Sequence, residues 1–148
     1  MAAWEAGVQI IFDAIYASQQ DARTPLERMR LGVRAYLGTL AAEPDFARAF
    51  LIEVVAAGPA AEARRAEVHE RFCDLFDIQH KEARRLRPEL PDVPHEICRA
   101  AVGAVNELVS NHVREGRTAE LPGLEETILY LELVLFAGHD VAAAVTRR

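Results

Sequence analysis

The sequence predicts an all-α chain. Apolar residues recur at helical three-and-four spacing through six segments, Pro and Gly separate those segments, and no stretch alternates apolar and polar residues as a half-buried strand does. The 148 residues suit a single domain spanning 1–148. With 51% of them hydrophobic, there is enough apolar material for a core.

The first predicted helix, residues 3–20, puts Trp4, Val8, Ile11, Phe12, Ile15 and Tyr16 on one face, with Gly7 as a weak point. No capping residue precedes it, so it reads as cut from something longer. Thr24-Pro25-Leu26-Glu27 opens the second helix: Thr24 caps, Pro25 suits the first turn and Glu27 completes a capping box. Leu26, Met29, Val33, Tyr36, Leu37 and Leu40 form its apolar stripe, and Arg28, Arg30 and Arg34 are expected to form a solvated face.

Glu43-Pro44-Asp45 starts a short, central third helix with little polar surface, and Gly58-Pro59 stops it. Its Glu53 has two readings. It is a partner for Arg48 or Arg64, or an exposed edge; alternatively it is a charged recognition group inside a pocket. The fourth helix, residues 60–86, carries Val68, Phe72, Leu75, Phe76, Gln79 and Ala83 inward. His69 and Cys73 could touch one metal ion together, but a stable site needs further ligands and His80 lies well beyond them. Ordinary packing is therefore expected, with no metal and no cofactor.

Pro88, Pro91 and Pro94 rule out helix and predict a rigid surface loop. The fifth helix, residues 95–115, has two apolar stripes. Ile97, Ala101, Ala104, Leu108 and His112 form one; Cys98, Val102, Val105, Val109 and Val113 form the other. Ala100, Ala101, Gly103 and Ala104 are small enough to admit a partner helix. Asn106 and His112 are the polar residues expected to be partly buried. Gly116 ends this helix and residues 118–123 turn the chain. The last helix then runs over 124–145, with Glu125 and Glu126 favourable at its N-terminus and Arg147 and Arg148 beyond its end.

That last helix is apolar almost all round from Ile128 to Ala137, interrupted only by Glu132. A helix hydrophobic on every side must be covered on every side. A chain this short covers one side with its own core, so a second copy is expected on the other.

The formal charge of -6, from 17 basic and 23 acidic residues, comes without a face that gathers Lys and Arg alone. These residues by themselves are not expected to hold DNA phosphates. Neither Cys73 nor Cys98 sits in a CxxC pair, and both read as reduced core thiols. No signal peptide and no membrane span is legible, which points to the cytoplasm. Gly-rich phosphate loops, GxSxG, HExxH and nucleophile–base sets are missing, so no catalytic residue is predicted and the chain is not read as an enzyme.

The order and punctuation of these helices resemble the C-terminal regulatory domain of tetracycline-repressor-like (TetR family) transcriptional regulators. The likeness rests on TPLERMRLGVRAYLGTLAAEPDFARAFLIEVVAAGPAAEARR at 24–65 and HVREGRTAELPGLEE at 112–126. It implies a six-helix antiparallel bundle, TetR C-terminal-domain-like, whose last two helices pair with their symmetry mates into a dimeric four-helix bundle. DNA would be reached only through an N-terminal helix-turn-helix that these residues lack. In the implied homodimer, Val102, Val109, Val113, Leu131, Val134, Leu135 and Gly138 are the expected interface, though Gly138 is also readable as a weak point in its helix.

The resemblance also implies a small-molecule effector pocket inside the first five helices, with Phe12, Tyr16, Tyr36, Phe46, Phe50, Glu53, Phe72, Phe76 and Asn106 as candidates. The aromatic bias suggests a hydrophobic or aromatic effector, and Glu53 would add a preference for a cation or hydrogen-bond donor. The expected function is effector binding and dimerisation for a transcriptional regulator, with the first helix carrying the change to the DNA reader. The alternative is a TetR-like homo- or heterodimeric interaction module without DNA binding or ligand sensing.

Overall fold

The computed structural model describes residues 2–146, and every regular element among them is helical. Arg147 and Arg148, expected just past the last helix, lie outside the described residues. In chain order the elements are α1 (Ala2–Gln19), α2 (Pro25–Ala42), α3 (Pro44–Arg48), a π-helical turn (Ala49–Glu53), α4 (Val54–Ala56), α5 (Pro59–Leu86), α6 (His95–Arg114), a 3-10 turn (Thr118–Leu124), α7 (Glu125–Ala137) and α8 (His139–Thr146).

Local chemistry accounts for the starts and stops. Thr24 Oγ1 accepts the Glu27 amide at 3.1 Å, and the Glu27 carboxylate accepts the Arg23 amide at 2.8 Å. One orphan donor at the head of α2 is thereby satisfied, and the reciprocal bond of the capping box falls one residue early, on the amide before the cap. The predicted third helix runs from α3 through the π turn into α4 as one continuous path. The wide turn rotates the residues after it relative to those before it.

The predicted last helix is two helices. Gly138 sits at φ +98, a conformation side-chain-bearing residues rarely adopt, and it separates α7 from α8. Leu124 belongs to the preceding 3-10 turn, not to this helix.

The main core gathers Ile11, Phe12, Leu37, Leu40, Leu51, Val109, Leu121 and Ile128, all essentially inaccessible to solvent. Gly7 is part of the fit and not a flaw in α1: a Cβ there would lie 2.1 Å from Phe46 Cε2, so the missing side chain seats that ring. A smaller cluster joins Cys73, Cys98, Ala101, Val102 and Phe136. A third joins Leu129, Leu133 and Ala142 and folds α8 back on α7.

The arginines of α2 do not form a free solvated row. Arg34 makes a bidentate pair with Glu125 (2.9 and 2.9 Å), Arg30 reaches Glu125 at 3.3 Å and also pairs with Glu126, and Arg28 pairs with Glu82. Glu125 and Glu126 open α7, so this pairing ties α2 to that helix N-terminus, where negative charge is already favoured. The Arg34 guanidinium beside Glu125 holds its carboxyl below the ordinary carboxylate range, with Arg30 adding to the effect.

The expected dimer residues divide in two. Val102, Val109 and Val113 are at most 7% exposed and face their own core, because α6 turns its second apolar stripe inward. Leu131, Val134 and Leu135 of α7 are only half-buried, and Gly138 breaks the helix it was expected to continue. The outward side of α6 exposes Ala100, Gly103, Glu107 and Asn111. No helix among the described residues is long and apolar enough to cross a membrane.

Candidate functional site

The helices line a half-open cavity of about 80 Å³. That is room for several waters or a small organic group. Each helix contributes residues spaced three or four apart, so each lends one face. α1 gives Ile15 and Gln19; α2 gives Met29, Gly32, Val33 and Tyr36; the π turn gives Phe50. α5 gives His69, Phe72, Leu75, Phe76 and Gln79, α6 gives Val102, Val105 and Asn106, and α7 gives Ile128 and Glu132.

Aromatic rings fix the α5 wall. Phe72 stacks on Phe12 at 4.5 Å between centroids, and Tyr36 meets Phe72 edge-on at 5.7 Å. The Arg71 guanidinium lies 4.0 Å above the Phe12 ring, and Phe76 stacks on Phe136 at 5.4 Å. These are the offset and edge geometries that ring quadrupoles favour. A pair of glutamines closes one side: Gln79 Nε2 donates to Gln19 Oε1 at 2.9 Å, and Gln19 Nε2 donates to the Arg28 carbonyl at 2.9 Å.

The polar groups in the wall are few, and one lacks a partner. Glu132 is 3% exposed and its Oε2 makes no hydrogen bond. Burial pushes its carboxyl up to about 8, so at neutral pH it carries a proton. A buried, unpartnered carboxyl in an apolar chamber costs stability and marks a site where a ligand group could meet it. Burial lowers the His69 imidazole, the neighbouring Arg65 charge adds to this, and a hydrogen bond with Asn106 opposes both. Burial raises the Tyr36 phenol, so it stays protonated. The polar groups that the wall offers are the Tyr36 phenol, the His69 imidazole, the Glu132 carboxyl and the Gln19, Gln79 and Asn106 amides.

Five of the nine candidate pocket residues meet here: Tyr36, Phe50, Phe72, Phe76 and Asn106. Four do not. Phe12 is fully buried behind Phe72 and supports the wall without lining it. Tyr16 is 47% exposed at the surface of α1. Phe46 packs over Gly7 and stacks on Phe50 at 5.5 Å, away from the chamber. Glu53 is exposed and pairs with Arg48 at 3.2 Å, which decides its open reading for the ion-pair partner. It lies beside a second, more open hollow with Trp4 and Arg64.

The candidate set missed the polar lining residues Gln19, His69 and Gln79 and, most of all, the buried Glu132. Its signal was in the sequence, as the single charge within an otherwise apolar run. Comparison of the chain with protein-family models, with curated proteins and with solved structures finds no match.

Proposed function

We propose that this protein is the effector-binding and dimerisation domain of a TetR-like transcriptional regulator. Its effector is a small hydrophobic or aromatic molecule carrying one cationic or hydrogen-bond-donating group that meets Glu132. The observation that carries this reading is the half-open, aromatic-lined chamber with an unpartnered carboxyl in its wall. The resemblance at 24–65 and 112–126 supplies the regulatory context. The half-buried Leu131, Val134 and Leu135 on α7, together with the small exposed residues of α6, support pairing of two copies through these helices. The effector acts by population shift: it favours whichever arrangement of the bundle it binds better, and α1 passes that bias to the DNA reader.

The test is a thermal-shift and calorimetry screen of small arylalkyl amines, cationic at neutral pH, against their neutral isosteres, on wild type and Glu132→Gln. An amine at one hundred times its Kd stabilises by about 2.7 kcal/mol. Because the amine requires ionised Glu132, its affinity should rise about tenfold per pH unit up to the folded value near 8. Glu132→Gln should abolish both the amine preference and the slope. Absence of any stabilising compound, or equal affinity in Glu132→Gln, removes the ligand reading. A single subunit in sedimentation at micromolar concentration removes the dimer.

A further inference from the structure

A second constellation lies apart from the chamber, where α5 meets the start of α6. Glu70 and Cys73 stand three apart on α5 and so share a face; His95 is the first residue of α6. A carboxylate oxygen of Glu70, Cys73 Sγ and a ring nitrogen of His95 all lie within 4.8 Å of one another. Their types are those that bind zinc-class ions: one soft thiolate, one imidazole and one carboxylate.

The arrangement is held from outside. Arg99 Nε donates to Glu70 Oε1 at 2.7 Å, leaving Oε2 turned to His95 Nε2 at 3.0 Å. A carboxylate oriented by a second partner is a common support for a metal ligand. His95 is placed by the proline loop before it, which is itself tied down: His80 Nε2 bonds the Pro91 carbonyl at 2.8 Å, and Arg84 bonds the Leu90 carbonyl at 3.2 Å and Asp92 at 3.0 Å. Cys73 forms a buried floor, whereas the Glu70 and His95 side chains are 43% and 38% exposed. An ion therefore has a path in, and water has a place to complete its shell.

We propose that Glu70, Cys73 and His95 bind one thiophilic divalent cation of the Zn²⁺ class, with a solvent water in the fourth position, bridging α5 to α6. Tetrahedral zinc ligands stand about 3.3–3.8 Å apart. Closing the set thus needs side-chain movements of about 1 Å and no change in the helices. On binding, the Cys73 S–H bond breaks, its proton leaves to solvent and a sulfur–metal bond forms; the proton that His95 Nε2 donates to Glu70 moves through solvent to Nδ1, so the freed Nε2 lone pair and the Glu70 carboxylate bond the ion in place of each other. No electron is transferred. Burial raises the free thiol to about 11, so binding releases a full proton at neutral pH. Cys98 packs in the same cluster without joining the ligand set.

The test uses the full chain, reduced and stripped with chelator, titrated with Co²⁺ and then Zn²⁺ alone. One Co²⁺ per chain should give a thiolate-to-metal charge-transfer band with the visible absorption of a tetrahedral ion, and Zn²⁺ should displace it and raise Tm. Cys73→Ser should abolish the band, and Cys98→Ser should leave it. His95→Ala changes a partly exposed residue at a helix start, so it tests the site even if Cys73→Ser folds poorly. It should weaken Zn²⁺ by at least the 10–100-fold seen when mere outer partners are lost. A Co²⁺ spectrum without the thiolate band, a band that follows Cys98 instead of Cys73, or unchanged Zn²⁺ affinity in His95→Ala overturns the proposal.

Discussion

Replacing Glu132 with Gln should stabilise the protein by an amount that depends on pH. The folded carboxyl titrates near 8 because burial disfavours its charge, whereas an unperturbed carboxyl titrates at 4.5. Below 4.5 both states hold the proton and the residue costs nothing through ionisation. Between 4.5 and about 8 the unfolded chain releases the proton and the folded chain keeps it, so stability falls as pH rises. Each unit costs about 1.4 kcal/mol. The penalty reaches about 3 kcal/mol at pH 7 and levels off above the folded value. Gln does not titrate, so it removes this slope while keeping a similar volume and one acceptor. The assay is urea unfolding of both proteins at pH 5, 6, 7 and 8 at one fixed protein concentration. Every other titrating group, Glu125 included, cancels in the difference between the two curves. That difference should widen by about 1.4 kcal/mol per unit up to pH 8. Parallel curves would mean that Glu132 is solvated or paired in the folded chain, and the argument built on its isolation would fall.

Two further predictions concern packing. Gly7→Ala puts a methyl 2.1 Å from the Phe46 ring and should cost about 1–3 kcal/mol despite Ala's better helix propensity, whereas Gly38→Ala, with no neighbouring atom within 4 Å, should raise Tm; equal melting shifts in calorimetry would refute the seat. Glu125→Gln should cost about 1 kcal/mol at neutral pH by loosening α2 from α7. Since Arg34 depresses the Glu125 carboxyl, its contribution is present above 4.5 and lost as pH falls below that value, so wild type and variant should converge in acid unfolding.

What the sequence revealed and what it hid follow from the range of the forces involved. Helical spacing and capping are local, so the Thr24 start, the Pro44 start and the proline loop were legible from neighbouring residues. The inward stripe of α5 placed Phe72 and Phe76 on the cavity wall for the same reason. Facing was less legible. Val102, Val109 and Val113 form a sound stripe, but periodicity alone does not say whether a stripe meets its own core or a second copy. Gly138 read as one small residue in an apolar run, because its positive φ is set by the return of α8 onto α7 and not by its neighbours. The short central helix showed little polar surface and no single stripe, because the π turn shifts its register midway. Glu53 drew attention as a charge amid apolar residues, and so did Glu132. Only the fold distinguishes the exposed one from the buried one.

Phe72 is a shared gear between the chamber and the rest of the molecule. One face stacks on Phe12 of α1, its side meets Tyr36 of α2, and it also looks into the cavity. Interiors packed this densely pass a displacement along instead of absorbing it. Phe12 and Tyr36 are therefore the side chains that a displaced Phe72 ring would press on first, and they belong to the first and second helices of the chain.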